Sequence, residues 1–144
     1  MMSKILSSKS CFLDTGVFFR STGQLGRLIE EDYSFYINII VYYEFINAIE
    51  FEINDADQKK NKQRMQLLIT LKNRFPDLLA ELNIVLLNIP IEWEQTASFL
   101  VKMKDYEMNI GDILILETIK RHNINLILTT DKDWKRTGIT SIII

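Results

Sequence analysis

The chain has one cysteine, two prolines and five glycines among its 144 residues, and each scarcity removes a class of protein. The lone Cys11 cannot form an internal disulfide, whereas small secreted domains usually carry several, so a reducing, cytoplasmic location is expected. So little glycine and proline, beside 47% hydrophobic residues, excludes collagen-like, linker-rich and disordered chains. No stretch reaches the ~18 continuous apolar residues that a membrane helix needs. The first ten residues, Met1 to Ser10, hold no apolar run of signal-peptide length, so no membrane partner is expected. An excess of positive charge is also missing. The formal net charge is −2, which removes any general attraction to phosphate backbones. Nucleic acid could be held only locally or through bound cations. The length fits a single domain spanning 1–144.

What is present is an alternation of short apolar runs with longer segments of helical period, the pattern of an α/β domain with a parallel sheet. Strands are predicted at Cys11 to Leu13, around Phe35 to Ile40, at Ile84 to Leu87, at Ile124 to Leu128 and at Ile142 to Ile144. After the first strand, Asp14, Thr15 and Gly16 read as a turn leading into a short apolar helix near Val17. From about Val41 the spacing Val41, Phe45, Ala48, Ile49 is helical. Asp55 to Arg74 reads as one amphipathic helix with Met65, Leu68, Ile69 and Leu71 on its apolar side, and Pro76 should end it or start another. Pro90 should open a helix whose apolar positions are Ala97, Leu100 and Val101. Gly111 to His122 reads as a helix apolar almost all round, hence buried.

In a parallel α/β sheet, ligands bind beyond the carboxyl ends of the strands. Asp14 follows the first predicted strand, and Glu44 lies in the opening turns of the helix after the second. Asp112 opens the buried helix, and Asp131 and Asp133 follow the fourth strand. Each has an ordinary alternative. Asp14 suits a turn, Asp112 suits an N-cap or first helical turn, and Asp131 and Asp133 suit a loop. Glu44, three residues after Val41 and four before Ala48, projects beside an apolar stripe and needs a cation or a hydrogen-bond partner there. With 19 acidic residues in the chain, the joint placement of these five is the signal. Clustered carboxylates repel one another and persist only when protons or cations neutralise them. Hard divalent cations suit oxygen ligands, and Mg²⁺ is typically held by a few carboxylates together with substrate phosphate. In the two-metal form, ions roughly 3.5–4 Å apart clamp the attacking and leaving oxygens of a phosphoryl transfer.

Four segments together resemble the PIN domain family, most closely the compact VapC-like toxin ribonucleases of toxin–antitoxin pairs. Phe12-Leu13-Asp14-Thr15 is similar to the family's opening strand and Asp-Thr/Ser turn, and Tyr43-Glu44-Phe45 to its first-helix glutamate. Asn109-Ile110-Gly111-Asp112-Ile113-Leu114-Ile115 is similar to the third acid before an apolar helix. Leu128-Thr129-Thr130-Asp131-Lys132-Asp133-Trp134 is similar to the closing Thr-x-Asp segment with its aromatic. The resemblance spans nearly the whole chain. It implies an α/β, PIN-like three-layer sandwich with a central, mostly parallel sheet of about five strands flanked by helices. It also implies a divalent-metal-dependent endoribonuclease cleaving single-stranded RNA, the toxin of a type II pair, with a cognate antitoxin and a homodimeric partner. Mg²⁺ or Mn²⁺ would be held by Asp14, Glu44, Asp112 and Asp131 or Asp133, with Asp131 favoured as nearer the strand end. Thr15, Thr129, Thr130 and Lys132 would orient ligands or contact substrate. Asn or Ser often follows the family's Asp-Thr pair, and Gly16 here removes a possible hydrogen bond. The same resemblance also admits a catalytically silent binding module or a non-toxin RNA-processing nuclease.

Lys132, Lys135 and Arg136 lie beside the proposed site and are placed to hold phosphate. Lys59, Lys60, Lys62 and Arg64 read as a solvated helix face. His122 reads as a helix-end cap, and Trp93 and Trp134 as packing residues. The segment from Asp55 to Leu82 could serve dimer or antitoxin contacts as well as core packing. Asp14-Thr15-Gly16 also resembles the motif of retroviral-type aspartic proteases, but that fold is nearly all β and glycine-rich. A receiver domain would need its phosphorylated Asp where this chain has Asn88.

Overall fold

In the computed structural model, the described residues are 9–20, 23–89 and 91–144. Five strands, β1 (Ser10–Leu13), β2 (Ser34–Asn38), β3 (Val85–Leu87), β4 (Leu126–Thr129) and β5 (Thr140–Ile143), form one sheet in the order β3-β2-β1-β4-β5. Every neighbouring pair is parallel, with Cys11 opposite Phe35 on one side and opposite Leu126 on the other. All four residues of β1 and all four of β4 are buried. That matches their near-continuous apolar sequence, since inner parallel strands are covered on both faces. The two edge strands are partly exposed. Because β1 has β2 on one side and β4 on the other, the connections leaving β1 and β4 diverge, and a crevice opens at their carboxyl ends.

Helices flank the sheet: α1 (Gly23–Glu30), α2 (Ile39–Gln58), α3 (Lys62–Glu81), α4 (Thr96–Tyr106) and α5 (Ile110–Arg121). Strand β2 passes into α2 without a loop. The Asn38 side chain makes this possible by accepting from the Val41 N–H at 3.2 Å, which satisfies an orphan donor of the first turn. Asn38 is itself fully buried and donates through Nδ2 to Thr118 Oγ1 of α5 at 3.0 Å. On α2, Phe45, Ile49 and Ala56 face Leu68 and Phe75 of α3 in a core separate from the one around the sheet. The Phe45 and Phe75 rings stack 3.8 Å apart, and Phe18 meets Phe75 edge-on at 5.1 Å. Truncating a fully buried phenylalanine such as Phe75 to alanine typically costs about 3–5 kcal/mol.

Four expectations about the helices change. Helix α1 was not foreseen, because its two glycines and three apolar residues carry a weak pattern. The single helix from Asp55 is instead the end of α2 and all of α3. Lys60, at a φ of 53°, breaks the ladder, and Asn61 restarts it by accepting from the Arg64 N–H. Pro76 lies within α3, on its exposed side, where the packing of Phe75, Leu78 and Leu79 overrides its helix-breaking tendency. In α4, Leu100 and Val101 are exposed and the inward residue is Phe99, followed by Met103 and Tyr106. Pro90, expected to open that helix, lies outside the described residues. After Asp14 the chain forms a 3₁₀ turn over Thr15–Phe19. No helix among the described residues is long and apolar enough to cross a membrane.

Candidate active site

Five acids gather where the carboxyl ends of β1 and β4 meet the first turns of α2 and α5. Asp14, just past β1, is buried, and its carboxylate is held from two sides. Oδ1 accepts from the Thr15 backbone N–H at 2.8 Å, and Oδ2 accepts from Thr129 Oγ1, at the end of β4, at 2.6 Å. Thr129 Oγ1 in turn accepts from the Asp131 N–H at 3.0 Å, and Asp131 Oδ1 accepts from the Asp133 N–H at 2.9 Å. Strand β4 and its loop are thereby keyed to the same carboxylate that ends β1.

On the other side, the Thr15 hydroxyl donates to Glu44 Oε1 at 2.8 Å, giving Glu44 the partner that its place beside an apolar stripe demands. Its second oxygen, Oε2, lies against the start of α5, and a Cβ at Gly111 would stand only 3.1 Å from it. The glycine lets α5 approach that closely. Asp112 follows in the first turn of α5. The N-cap is Asn109, whose Oδ1 accepts from the Asp112 N–H at 2.8 Å, so the Asp112 carboxylate is spared for the hollow.

The electrostatics confirm the proximity of these groups. Burial raises the Asp14 carboxyl above the usual range. The Thr129 and Thr15 hydrogen bonds pull it back, while the Asp131 charge raises it further. Glu44 is raised by burial, lowered by Thr15 and raised again by Asp14. Asp112 is pushed up to about 7, first by desolvation and then by the charges of Asp14, Glu44, Asp131 and Asp133. One carboxyl therefore feels the other four, the signature of a hollow with an excess of negative charge.

The remaining expected residues divide. Lys132 is exposed at the start of a 3₁₀ turn, Lys132–Thr137. Arg136 is engaged within the protein. It ion-pairs with Asp133 at 3.0 Å and donates to the Tyr106 carbonyl at 3.0 Å, so Asp133 is already engaged while Asp131 acts on both Asp14 and Asp112. The Thr130 side chain fills the place a Cβ at residue 16 would occupy, which accounts sterically for Gly16. Trp93 is not a packing residue: it is 87% exposed. Trp134 is fully buried, and its indole N–H meets no acceptor at full hydrogen-bond geometry, its interaction with Asp14 being a weak one that favours the charged carboxylate. The capping asparagines Asn38 and Asn109 were missed as site supports, although Asn before an apolar-periodic run is a readable N-cap signal.

An oxygen-only donor set with excess negative charge suits a hard divalent cation. Among the described residues no three His, Cys, Asp or Glu side chains stand close enough to hold one ion directly. An ion held here would have to keep several of its waters, as Mg²⁺ does.

A family model described as PIN domain matches residues 11–139. No curated protein sequence matches the chain. Among solved structures, FitAcB from Neisseria gonorrhoeae aligns at a TM-score of 0.58 and 19% identity, over 92% of this chain and 96% of that one. VapBC2 from Rickettsia felis, bound to a DNA fragment from their promoter, aligns at a TM-score of 0.53 and 14% identity, over 93% and 98%. At these identities the likeness is one of fold.

Proposed function

This chain belongs to the PIN domain family, and from that membership and the geometry of its acids we propose that it is a divalent-cation-dependent endoribonuclease acting on single-stranded RNA. The observation that carries the reading is the state of Asp112. Four other carboxylates from three further chain segments act on it, and of these Asp133 alone is given a cationic partner, Arg136, among the described residues. Asp14, Glu44, Asp112 and Asp131 are the residues we assign to holding Mg²⁺ or Mn²⁺. The assignment favours Asp131 over Asp133 because Arg136 already neutralises Asp133. When bound, the ion supplies positive charge beside the phosphate and lowers the pKa of a coordinated water.

The chain's own residues do the rest. Thr129 and the Thr15 backbone fix both oxygens of Asp14, and the Thr15 hydroxyl fixes one oxygen of Glu44. The donor oxygens are thus set before substrate arrives, so little ordering cost falls on the reaction. We assign Thr130, which packs against the Gly16 position, and the exposed Lys132 to the substrate side, where Lys132 would meet a phosphate. With a net charge of −2, RNA would be held through the cation and such local contacts.

We further assign the chain to the toxin role of a type II pair, cytoplasmic, with a cognate antitoxin and a second copy of itself as protein partners. Support comes from VapBC2, a two-protein assembly seen on DNA from their own promoter. A catalytically silent binding module is the competing reading, favoured by the absence of three directly convergent ligands among the described residues. One assay separates the two. Purified protein should cleave single-stranded RNA with Mg²⁺ or Mn²⁺ and stop with chelator, and Asp14→Asn should abolish cleavage while folding normally. A parent protein inert with both ions, or an Asp14→Asn variant as fast as the parent, overturns the nuclease reading.

A further inference from the structure

The indole N–H of Trp134 is the one feature of this region that neither packing nor the hydrogen-bond network explains. Trp134 is wholly inaccessible to solvent, at the first turn of the segment that follows Asp131 and Asp133. Buried indole N–H groups nearly always find an acceptor, because the lost water is otherwise not replaced. Here Nε1 meets no acceptor at full hydrogen-bond geometry, and its weak interaction with the Asp14 carboxylate is the least of the influences on that group. Both Asp14 oxygens already accept one bond each, from Thr15 and Thr129, and a carboxylate has lone pairs for about four. The acceptor capacity is therefore present, and only the geometry is incomplete.

We propose that Trp134 is a positioning residue for Asp14, its indole N–H completing a hydrogen bond to that carboxylate in the cation-loaded site. The proposal rests on the cation-site reading above. A hydrocarbon of the same bicyclic shape would fill the same space, so packing does not require nitrogen at this point. A donor there would give Asp14 a third fixed bond, from the same turn that carries Asp131, and would tie two of the proposed ligands together. A hydrogen bond to an ionised carboxylate is shorter and stronger than one between neutral groups.

The test uses ¹H–¹⁵N spectra of the full chain, which has two indole resonances, assigned with Trp93→Phe. Titration with Mg²⁺ should move the Trp134 indole proton downfield and slow its exchange with solvent, while the exposed Trp93 indole stays in place. Trp134→Phe should bind Mg²⁺ about tenfold more weakly, equivalent to ~1.4 kcal/mol, in addition to the lower melting temperature in chelator that the lost core volume brings. An unmoved Trp134 indole while the backbone amides of Gly111 and Asp112 respond to Mg²⁺ overturns this proposal alone. So does a Trp134→Phe variant that binds as tightly as the parent. No response at any resonance overturns the cation site and this proposal with it. Should Trp134→Phe fail to fold, the indole shift in the parent protein decides the matter.

Discussion

Asp112→Asn isolates the electrostatic cost stored in the acidic hollow. Without added cations, the Asp112 carboxyl sits at about 7 in the folded protein and returns towards 3.8 when the chain unfolds. Between those values the folded state keeps a proton that the unfolded chain has released. Stability is therefore fully present below about pH 4, falls as pH rises towards about 7, and levels off above it. At full value the displacement corresponds to about 4 kcal/mol. Asp112 is only partly buried, so solvent screening reduces this to about 1–2 kcal/mol. The substitution also removes an acid from the first turn of α5, a loss of roughly 0.3–1 kcal/mol, and leaves the Asn109 cap intact. The balance favours the variant. In chelator at pH 8, Asp112→Asn should be more stable than the parent by about 1 kcal/mol, raising the melting temperature by roughly 2–4 °C. Near pH 4 the two should melt together. With Mg²⁺ present the order should reverse, since only the parent gains by binding. Thermal unfolding followed by circular dichroism from pH 4 to 8.5, with chelator and with Mg²⁺, reads all three. A variant less stable than the parent at pH 8 in chelator, or a constant difference across the pH range, refutes the reasoning.

Thr129→Val removes the hydroxyl that donates to buried Asp14 and accepts from Asp131, and should cost about 1–3 kcal/mol in denaturant unfolding while weakening cation binding. Gly16→Ala drives a methyl group into the Thr130 side chain and should destabilise the protein by about 1–3 kcal/mol; the paired change Gly16→Ala with Thr130→Gly should recover most of it, and a double-mutant cycle measures the recovery. Cys11 is fully buried and its thiol is pushed up to about 12 by desolvation, so thiol reagents at pH 8 should label it only after denaturation.

The acids could be located from sequence because each is anchored to a short-range rule. Asp14 ends an unbroken apolar strand, Glu44 keeps a fixed offset from Val41, and Asp112 heads an all-apolar helix. Parallel strands buried on both faces read as plain apolar runs, so β1 and β4 were plain to see, and their carboxyl ends marked the crevice. What escaped prediction depends on contacts distant in the chain. The apolar side of α4 was misjudged because Leu100 and Val101 are as hydrophobic as Phe99, and only the sheet decides which faces inward. Pro76 reads from sequence as the end of one helix or the start of another because its local cost is visible and the compensating packing of Phe75 against Phe45 is not. Arg136 looked free for phosphate until the fold brought Tyr106 and Glu107 beside it. The incompletely satisfied donor of Trp134 is likewise a property of the assembled core.

Diffraction from crystals soaked in Mn²⁺, collected where manganese scatters anomalously, examines the cation site without relying on activity. An anomalous peak within the hollow bounded by Asp14, Glu44, Asp112 and Asp131, lost in Asp14→Asn crystals, is the predicted result. Crystals saturated with Mn²⁺ that show no peak there, or peaks only at other surfaces of the molecule, would contradict it.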